Sequence, residues 1–435
     1  MAPPMTTALL TDHYELTMVQ AALRSGAAKR RAVFEVFARH LPHGRRYGVV
    51  GGTGRLLDAL GDFRFDSETL EFLRSARIVD DPTVNYLASY RFTGNIWGYG
   101  EGDCYFPGSP ILVVDAPFAE AVVLETIALS VLNHDTAIAS AASRMVAAAG
   151  DRPIIEMGSR RTHEMAAVAS ARAAYLAGFA STSNLQARKS FGVPTAGTSA
   201  HAFILVHDSE RHAFATQLEA LGTGTTLLVD TFDVARAVRT AVALAGPGLG
   251  AVRIDSGDLA VLAREVRALL DSLGATATRI VVTGDLDEHG IAALAAAPVD
   301  GYGVGTALVT GSGAPTAALV YKLVARADSG REGAPLRPMA KRSVGKPGRG
   351  GRKWAVRHRD DRGTALAEVI TLAPPERGPH DRTLLRPLVR HGEIVGREPI
   401  EEARNRHTRA LGELPPQALQ LSRGDPAVPT VFRPT

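Results

Sequence analysis

A repeated alternation of short apolar strands with alanine- and leucine-rich helices, from about residue 152 to 310, most constrains the fold of this chain. Each repeat starts with a β-branched run, continues through a polar or glycine-containing turn, and ends in a segment whose apolar residues recur every three or four positions. This rhythm is typical of βα units with a parallel sheet. The predicted strands are 152–157, 178–182, 193–197, 226–230, 251–255, 279–284 and 299–305.

Seven such units favour an irregular, TIM-like α/β barrel over residues 136–325, with a doubly wound open sheet as the alternative. Residues 1–135 differ, because aromatic strand-like pieces precede a long alanine-rich helix, and they are predicted to form an α+β domain. Residues 326–435 begin rich in glycine, proline and arginine, and then contain further strand candidates. We expect this last segment to pack on the N-terminal domain.

Composition narrows the class of function. The 435 residues include 49 Lys and Arg against 45 Asp and Glu, mostly dispersed, which argues against a general nucleic-acid binder and leaves anionic small molecules as ligands. Cys104 is the only cysteine, which excludes an internal disulfide and a multi-cysteine metal site and fits a reducing compartment. The N-terminus has no signal-peptide pattern, and the most apolar helix candidate, 119–132, is too short for a membrane span and carries two glutamates. We therefore expect a cytoplasmic protein without a membrane partner.

Polar and glycine residues follow nearly every predicted strand. Because the carboxyl ends of barrel strands meet at one mouth, where active sites are built, these turns form a candidate site. They are GSRR (158–161), STSN (181–184), TSAHA (198–202), VDTFD (229–233), RIDSGD (253–258), TGDLDE (283–288) and GVGT (303–306). A lone histidine beside an apolar run is usually a core or surface residue, so the position of His201 within this set makes it a candidate.

The residue types in these turns suit a phosphorylated sugar. Arg160 and Arg161 are forked, permanently charged donors for phosphate or carboxylate oxygens, although an arginine pair also occurs in surface ion pairs. Gly284, Gly303 and Gly305 let backbone amides approach a phosphate closely.

Two aspartates complete this chemical set. Asp255 and Asp285 could bind a ribose diol or magnesium, and their alternative role is helix N-capping. Anion-binding groups and diol-binding carboxylates around one mouth point to a phosphosugar substrate.

Eight motifs in this order resemble nicotinate phosphoribosyltransferase. They are TDHYELTM (11–18), RRAVFEVFAR (30–39), MGSRR (157–161), TSN (182–184), GTSAH (197–201), VRIDSGDL (252–259), TGDLDE (283–288) and GVGT (303–306), and the resemblance covers about residues 9–360. It implies a type II phosphoribosyltransferase fold, an irregular barrel flanked by a domain from both chain ends. It also implies synthesis of nicotinate mononucleotide and pyrophosphate from nicotinate and phosphoribosyl pyrophosphate, with coupled ATP hydrolysis, in NAD salvage.

The resemblance also implies roles for the catalytic residues. His201 would accept a phosphate from ATP, Asp230 would orient its imidazole, and Asp255 would bind the ribose hydroxyls. Arg160 and Arg161 would hold phosphate and the nicotinate carboxylate.

Further substrate contacts follow from the same resemblance. Tyr14 would stack on the pyridine ring across a homodimer with shared active sites. Gly284 and Asp285 in one turn, and Gly303, Gly305 and Thr306 in another, would bind the 5′-phosphate. Ser183 and Arg253 complete the predicted substrate-binding set.

Cofactor and loop expectations come from the resemblance too. Mg²⁺ would accompany ATP and phosphoribosyl pyrophosphate, and no tightly bound organic cofactor is expected. The family often has an aromatic where Met157 stands, and KRSVGKPGRGGRK (341–353) resembles its lysine-containing loop near the pyrophosphate.

Two alternatives stay open at this stage. Nicotinamide phosphoribosyltransferase has an aspartate in the second strand-end turn, whereas FASTSN (179–184) has no acid and so favours the anionic nicotinate. A catalytically inactive phosphosugar-binding barrel is the other alternative, against which the intact histidine, arginine pair and aspartates argue.

Overall fold

The computed structural model describes residues 6–331, 333–341, 349–376 and 378–433, and the chain divides into two compact units. One unit consists of Met1–Ser140 with Thr316–Thr435, and the other is Ala141–Pro315. The predicted boundaries lay after residues 135 and 325. The second boundary was placed too late, because the strand Leu319–Ala327 pairs antiparallel with Arg31–Ala38 and so belongs to the sheet of the first unit.

The N-terminal part of the chain is mixed α and β. Its helices are α1 (His13–Ser25), α2 (Thr53–Gly61), α3 (Ser67–Ser75), α4 (Asp81–Ala88), α5 (Phe118–Val122) and α6 (Glu125–Ala149), with a short 3₁₀ helix at Pro42–Gly44. Its strands are β1 (Arg31–Ala38), β2 (Gly48–Val49), β3 (Asn95–Gly98), β4 (Cys104–Tyr105) and β5 (Leu112–Pro117).

The middle of the chain alternates strands and helices. The strands are β6 (Ile154–Glu156), β7 (Ser181–Thr182), β8 (Thr226–Leu228), β9 (Ala251–Ile254), β10 (Arg279–Thr283) and β11 (Gly301–Val304). The helices are α7 (Glu164–Leu176), α8 (Leu185–Phe191), α9 (His201–Leu205), α10 (Glu210–Leu221), α11 (Val234–Ala245), α12 (Leu259–Ser272), α13 (Glu288–Ala293) and α14 (Thr306–Val309).

The C-terminal part is mostly β. It contains β12 (Leu319–Ala327), β13 (Leu336–Pro338), β14 (Trp354–Arg359), β15 (Ala365–Thr371), β16 (Arg382–Thr383), β17 (Arg386–Arg390), β18 (Glu393–Ile394) and β19 (Thr430–Arg433), with helix α15 (Ile400–Gly412) and a 3₁₀ helix at Pro416–Leu419.

Both ends of the chain build the main sheet of the first unit. Its order is β13-β12-β1-β5-β3-β17-β18, so strands from the N-terminal and C-terminal segments alternate in blocks. A second sheet, β16-β14-β15-β19, comes from the C-terminal segment alone. A large buried cluster that includes Phe34, Tyr99, Tyr321 and Leu388 draws side chains from both ends. The predicted α+β domain formed by the two chain ends is therefore confirmed.

The second unit is built on a six-stranded, all-parallel sheet in the order β7-β6-β11-β10-β9-β8. With β7 and β8 at its edges, it is a half-barrel, and the predicted class of irregular α/β barrel is confirmed. The predicted strand 193–197 is wrong, since only Thr195 makes a bridge, to Thr182. Pro194 has no N–H to donate, so the ladder cannot extend to the N-terminal side of this bridge.

Strands β7 to β10 of the half-barrel lead into helices that begin at a capping side chain. Asn184, Ser209, Asp233, Asp258 and Asp287 accept hydrogen bonds from backbone N–H groups in the first turns of α8, α10, α11, α12 and α13. The turns between strand and helix therefore have two tasks, because they start the helices and also present polar side chains.

Helix α6 corrects one expectation from the sequence. The helical stretch Phe118–Ala149 is 32 residues long, so by length and composition it is not too short to cross a membrane. However, 67% of its most apolar window is buried within the protein, as in the core helix of a globular domain.

A buried ion pair within the second unit fixes α13, which follows the β10 turn. Arg144 Nε lies 3.1 Å from Glu288 Oε1, and the two side chains are 8% and 5% exposed. Burial alone would raise the pKa of Glu288, but hydrogen bonds from Ser312, the backbone and Arg144 outweigh burial and lower the pKa below its ordinary value. The ionised carboxylate therefore stabilises the folded state.

We expect Glu288→Gln to lower the free energy of unfolding by roughly 1–3 kcal/mol at pH 7, because the charged hydrogen bonds are lost. The contribution of Glu288 is present above its unfolded pKa of about 4.3 and disappears as the pH falls through its lowered folded pKa. The deficit of the variant should therefore shrink in acid. Denaturant unfolding between about pH 2 and 8 measures it, with Glu265→Gln on the exposed face of α12 as control. A deficit that grew in acid would contradict the assignment.

Candidate functional site

The carboxyl ends of β6 to β11 lie along one edge of the half-barrel, since all six strands are parallel. Nearly all residues predicted for the site occur there. Arg160 and Arg161 follow β6, Ser183 follows β7, Asp230 follows β8, Asp255 follows β9, Gly284 and Asp285 follow β10, Gly305 and Thr306 follow β11, and Arg253 and Gly303 lie within β9 and β11.

His201 and Asp230 form a hydrogen-bonded pair. His201 is the first residue of the one-turn helix α9, and its Nε2 lies 3.2 Å from Asp230 Oδ1. The Asp230 side chain is 2% exposed, whereas that of His201 is 40% exposed. An ionised carboxylate only accepts hydrogen bonds, so Nε2 carries the proton and the lone pair of a neutral imidazole is on Nδ1. The exposed ring therefore offers Nδ1 as a nucleophile.

The second oxygen of Asp230 holds the turn after β9. Asp230 Oδ2 accepts the backbone N–H of Asp255 at 2.9 Å and the hydroxyl of Ser256 at 2.7 Å. One buried carboxylate thus connects the histidine to the predicted diol-binding aspartate. Sequence reasoning missed Ser256, although it lies inside the RIDSGD motif.

The Asp255 side chain also accepts a hydrogen bond from a residue of β10. The Thr283 hydroxyl donates to Asp255 Oδ1, and Arg253 Nη2 lies 3.8 Å from the same oxygen. The Asp255 side chain remains 34% exposed and accessible to a ligand. The alternative of N-capping is wrong for this residue, because Asp258 caps α12.

The same correction applies at the next turn. Asp287 caps α13 by accepting from the N–H groups of His289 and Gly290, so Asp285 is not the cap. Asp285 is exposed and has a φ of 48°, in the left-handed region that aspartate tolerates better than most residues. Its carboxylate is therefore available for another role.

Arg253 is partly buried beneath the loop that carries His201. Its side chain is 12% exposed, and Nη1 donates to the Thr198 hydroxyl and to the Ser199 carbonyl, the latter at 3.3 Å. Burial lowers the pKa of Arg253 and the positive charge of Arg160 adds to this, while Asp255 and Asp230 oppose it. The guanidinium still stays charged at neutral pH and provides a fixed cation at the site.

A buried glutamate links the first two turns of the site. Glu156 is fully buried at the end of β6, and its carboxylate accepts the Gly158 N–H and the Thr182 hydroxyl. Burial raises its pKa, and both hydrogen bonds oppose this. The exposed Arg160 and Arg161 follow directly on this turn. Sequence reasoning missed Glu156, whose only signal is an acid inside an apolar strand.

Two glycines at the site are required by close packing. A Cβ at Gly303 would overlap the Thr283 methyl group and lie 2.8 Å from Met157 Sδ. Met157 therefore lies against Gly303 of β11. At Gly284, φ is 123° and a Cβ would lie 2.7 Å from the Asp255 carbonyl oxygen.

Tyr14 belongs to the first unit. It lies in the first turn of α1 with a 47% exposed side chain, and partial burial together with the charges of Glu125, Glu15 and Asp12 raises its pKa to about 12. The phenol is therefore neutral at physiological pH, and its stacking role stays a prediction.

The lysine-containing segment 341–353 also belongs to the first unit, and its residues 342–348 lie outside the described ranges. At its end, Lys353 Nζ forms a buried ion pair with Glu35 Oε2 at 2.6 Å. Burial raises the pKa of Glu35, and Lys353 opposes this.

Within the described ranges there is no group of three or more His, Cys, Asp or Glu side chains arranged to hold a metal ion. Mg²⁺ that arrives with phosphates needs only one or two protein carboxylates, since waters and phosphate oxygens supply the other ligands. The separately placed carboxylates of Asp255 and Asp285 fit that mode of binding and do not fit a dedicated metal cage.

Gly284→Ala should destabilise the second unit by roughly 1–3 kcal/mol, because an L side chain is strained at this φ and the new Cβ meets the Asp255 carbonyl. Gly248→Ala is the matched control, since nothing lies within 4 Å of its Cβ and its φ is not in the left-handed range. Thermal unfolding of both variants measures the difference. Equal melting temperatures would show that the β10 turn adapts freely.

Comparison with known proteins places these observations in a family. The model for the nicotinate phosphoribosyltransferase N-terminal domain matches residues 9–133. The nicotinate phosphoribosyltransferase pncB1 of Mycobacterium tuberculosis is 58% identical over 432 residues, which cover 97% of this chain and 94% of that protein. The nicotinate phosphoribosyltransferase of Bacillus subtilis is 38% identical over 333 residues, covering 74% and 68%. The crystal structure of human nicotinic acid phosphoribosyltransferase superposes with a TM-score of 0.82 at 26% identity, covering 98% of this chain and 97% of the human one.

Proposed function

The chain belongs to the nicotinate phosphoribosyltransferase family, and from this premise we propose that it forms nicotinate mononucleotide and pyrophosphate from nicotinate and phosphoribosyl pyrophosphate. This reaction brings nicotinate into NAD synthesis. The observation that carries the proposal is the hydrogen-bonded chain from His201 through Asp230 to Asp255 at the strand ends. This chain of hydrogen bonds supports the proposal because it brings the proposed phosphate acceptor and the proposed ribose-binding carboxylate together.

The substrates are proposed to bind by charge and by close backbone approach. Arg160 and Arg161 are exposed and charged, and they would hold the nicotinate carboxylate and phosphate oxygens. Asp255 would accept hydrogen bonds from the ribose hydroxyls, with Mg²⁺ bound mainly through substrate phosphates. The backbone around Gly284 and Gly305 would approach the 5′-phosphate.

The transfer itself needs little covalent help from the protein. The pyridine nitrogen of nicotinate attacks C1 of the ribose, the bond from C1 to the pyrophosphate oxygen breaks, and pyrophosphate leaves with its electron pair. The transition state resembles an oxocarbenium ion, so carboxylates near the ribose and cations near pyrophosphate stabilise it. Positioning of the two substrates supplies much of the remaining rate.

We further propose that ATP hydrolysis is coupled through a phosphohistidine. His201 Nδ1 attacks the γ-phosphorus of ATP, the Nδ1–P bond forms, and the bond to the oxygen of ADP breaks. Positive charge develops on the imidazole during this step, and Asp230 stabilises it through the Nε2–H group. Water later cleaves the Nδ1–P bond and releases phosphate.

A cytoplasmic location and a homodimer with shared active sites, to which Tyr14 contributes, complete the proposal. Nicotinamide phosphoribosyltransferase is the competing activity. It is disfavoured because the turn after β7 offers Ser183 and Asn184 and no acid to receive a carboxamide.

The substrate assignment predicts a strong preference for nicotinate over nicotinamide. A charged hydrogen bond to the carboxylate contributes about 1.5–3 kcal/mol, which corresponds to roughly tenfold or more in kcat/KM. Product formation with nicotinate, nicotinamide and quinolinate, each with and without ATP, measures this. Equal efficiency on the first two would refute the assignment, and no product with any of them would favour the inactive phosphosugar-binding barrel.

The phosphohistidine assignment predicts that γ-labelled ATP with magnesium gives an acid-labile, base-stable phosphoenzyme, and that His201→Ala abolishes the label. His212→Ala, at an exposed histidine of α10, is the control and should keep it. The His201→Ala protein should fold normally and retain a slow, ATP-independent transfer at high substrate concentrations. If it were folded and still stimulated by ATP like the wild type, His201 would not be the acceptor.

A further inference from the structure

Asp230 is shared between two parts of the site that have different proposed tasks. Its Oδ1 faces His201 Nε2, and its Oδ2 faces the N–H of Asp255 and the hydroxyl of Ser256. Because the carboxylate is 2% exposed and planar, its two oxygens cannot move independently. A stronger hydrogen bond to one oxygen therefore also restrains the groups that are bonded to the other oxygen.

The phosphorylation state of His201 changes the strength of the hydrogen bond that its ring donates to Asp230. A neutral imidazole donates an ordinary hydrogen bond to Asp230, whereas a phosphorylated ring that carries positive charge donates a charge-assisted one. A low local dielectric strengthens this difference, since the carboxylate is buried. Phosphorylation should therefore hold Asp230 more rigidly in its observed position.

Ser256 is the part of this arrangement that has no other structural task. The residue is exposed, so its side chain contributes little to core packing, yet its hydroxyl donates to a buried carboxylate at 2.7 Å. It is adjacent to Asp255, whose side chain is directed by the Thr283 hydroxyl. The turn is thus attached to Asp230 at two points and to β10 at a third.

We propose that Ser256 is a positioning residue that communicates the phosphorylation state of His201, through the shared carboxylate of Asp230, to the turn that presents Asp255 to the sugar. This inference rests on the proposed function and adds a residue to it. Ser256 is not assigned a contact with substrate. Its effect is on how strongly ATP improves the use of phosphoribosyl pyrophosphate.

The test compares the KM for phosphoribosyl pyrophosphate without and with ATP, and the ratio of the two values measures the coupling. In Ser256→Ala the turn keeps only the Asp255 N–H bond to Asp230, so the ratio should fall by roughly two- to tenfold. Ser256→Thr retains the hydroxyl and should restore the wild-type ratio. Ser272→Ala removes an exposed hydroxyl of α12 that bonds only to a helix carbonyl, and it is the matched control.

Phosphoenzyme formation is measured in parallel and should be unaffected by Ser256→Ala. An unchanged ratio would overturn the inference. If the ratio were unchanged because both KM values rose by the same factor, Ser256 would instead contact the substrate directly. Loss of the phosphoenzyme would instead assign Ser256 to the phosphoryl step and also overturn it. A wild-type protein with no phosphoenzyme or with a ratio of one would refute the ATP coupling itself, and that result needs no Ser256 variant.

Discussion

The site depends on one buried carboxylate, that of Asp230. A carboxylate with 2% exposure is unfavourable unless its oxygens are satisfied, and here His201, the Asp255 backbone and Ser256 satisfy them. These partners are 25 to 29 residues away along the chain. Their convergence requires β8 and β9 to be adjacent and parallel, so the local chemistry is a direct consequence of the sheet order.

Arg253 is a partly buried positive charge at the site, and its neighbours include both carboxylates and another arginine. Arg253 interacts electrostatically with Asp230, Asp255 and Arg160, and it is anchored through Thr198 and Ser199 to the loop before His201. The loop that carries His201 is therefore tied to β9, close to the proposed sugar-binding turn. This arrangement keeps a cation near two carboxylates without neutralising either through a short ion pair.

The first unit is stabilised by a different kind of interaction, in which buried ion pairs join the two ends of the chain. Lys353 pairs with Glu35 across the C-terminal and N-terminal segments. Arg357, fully buried, bonds to Glu368 and to the carbonyl of Cys104. Such charges are costly to desolvate unless they are paired, so loss of either partner would leave an uncompensated buried charge.

By itself the sequence determined the βα alternation, the class of the fold and the strand-end turns that hold Asp230 and Asp255. These features depend on local periodicity and on the rule that parallel strand ends meet, neither of which requires knowledge of distant contacts. Only the tertiary structure decided that the predicted strand 193–197 is reduced to a single bridge and that Asp258, and not Asp255, caps α12. Only it revealed Glu156 and Ser256, because the partner of a buried hydrogen-bonding group depends on which strands are neighbours and on the angle at which each turn leaves its strand.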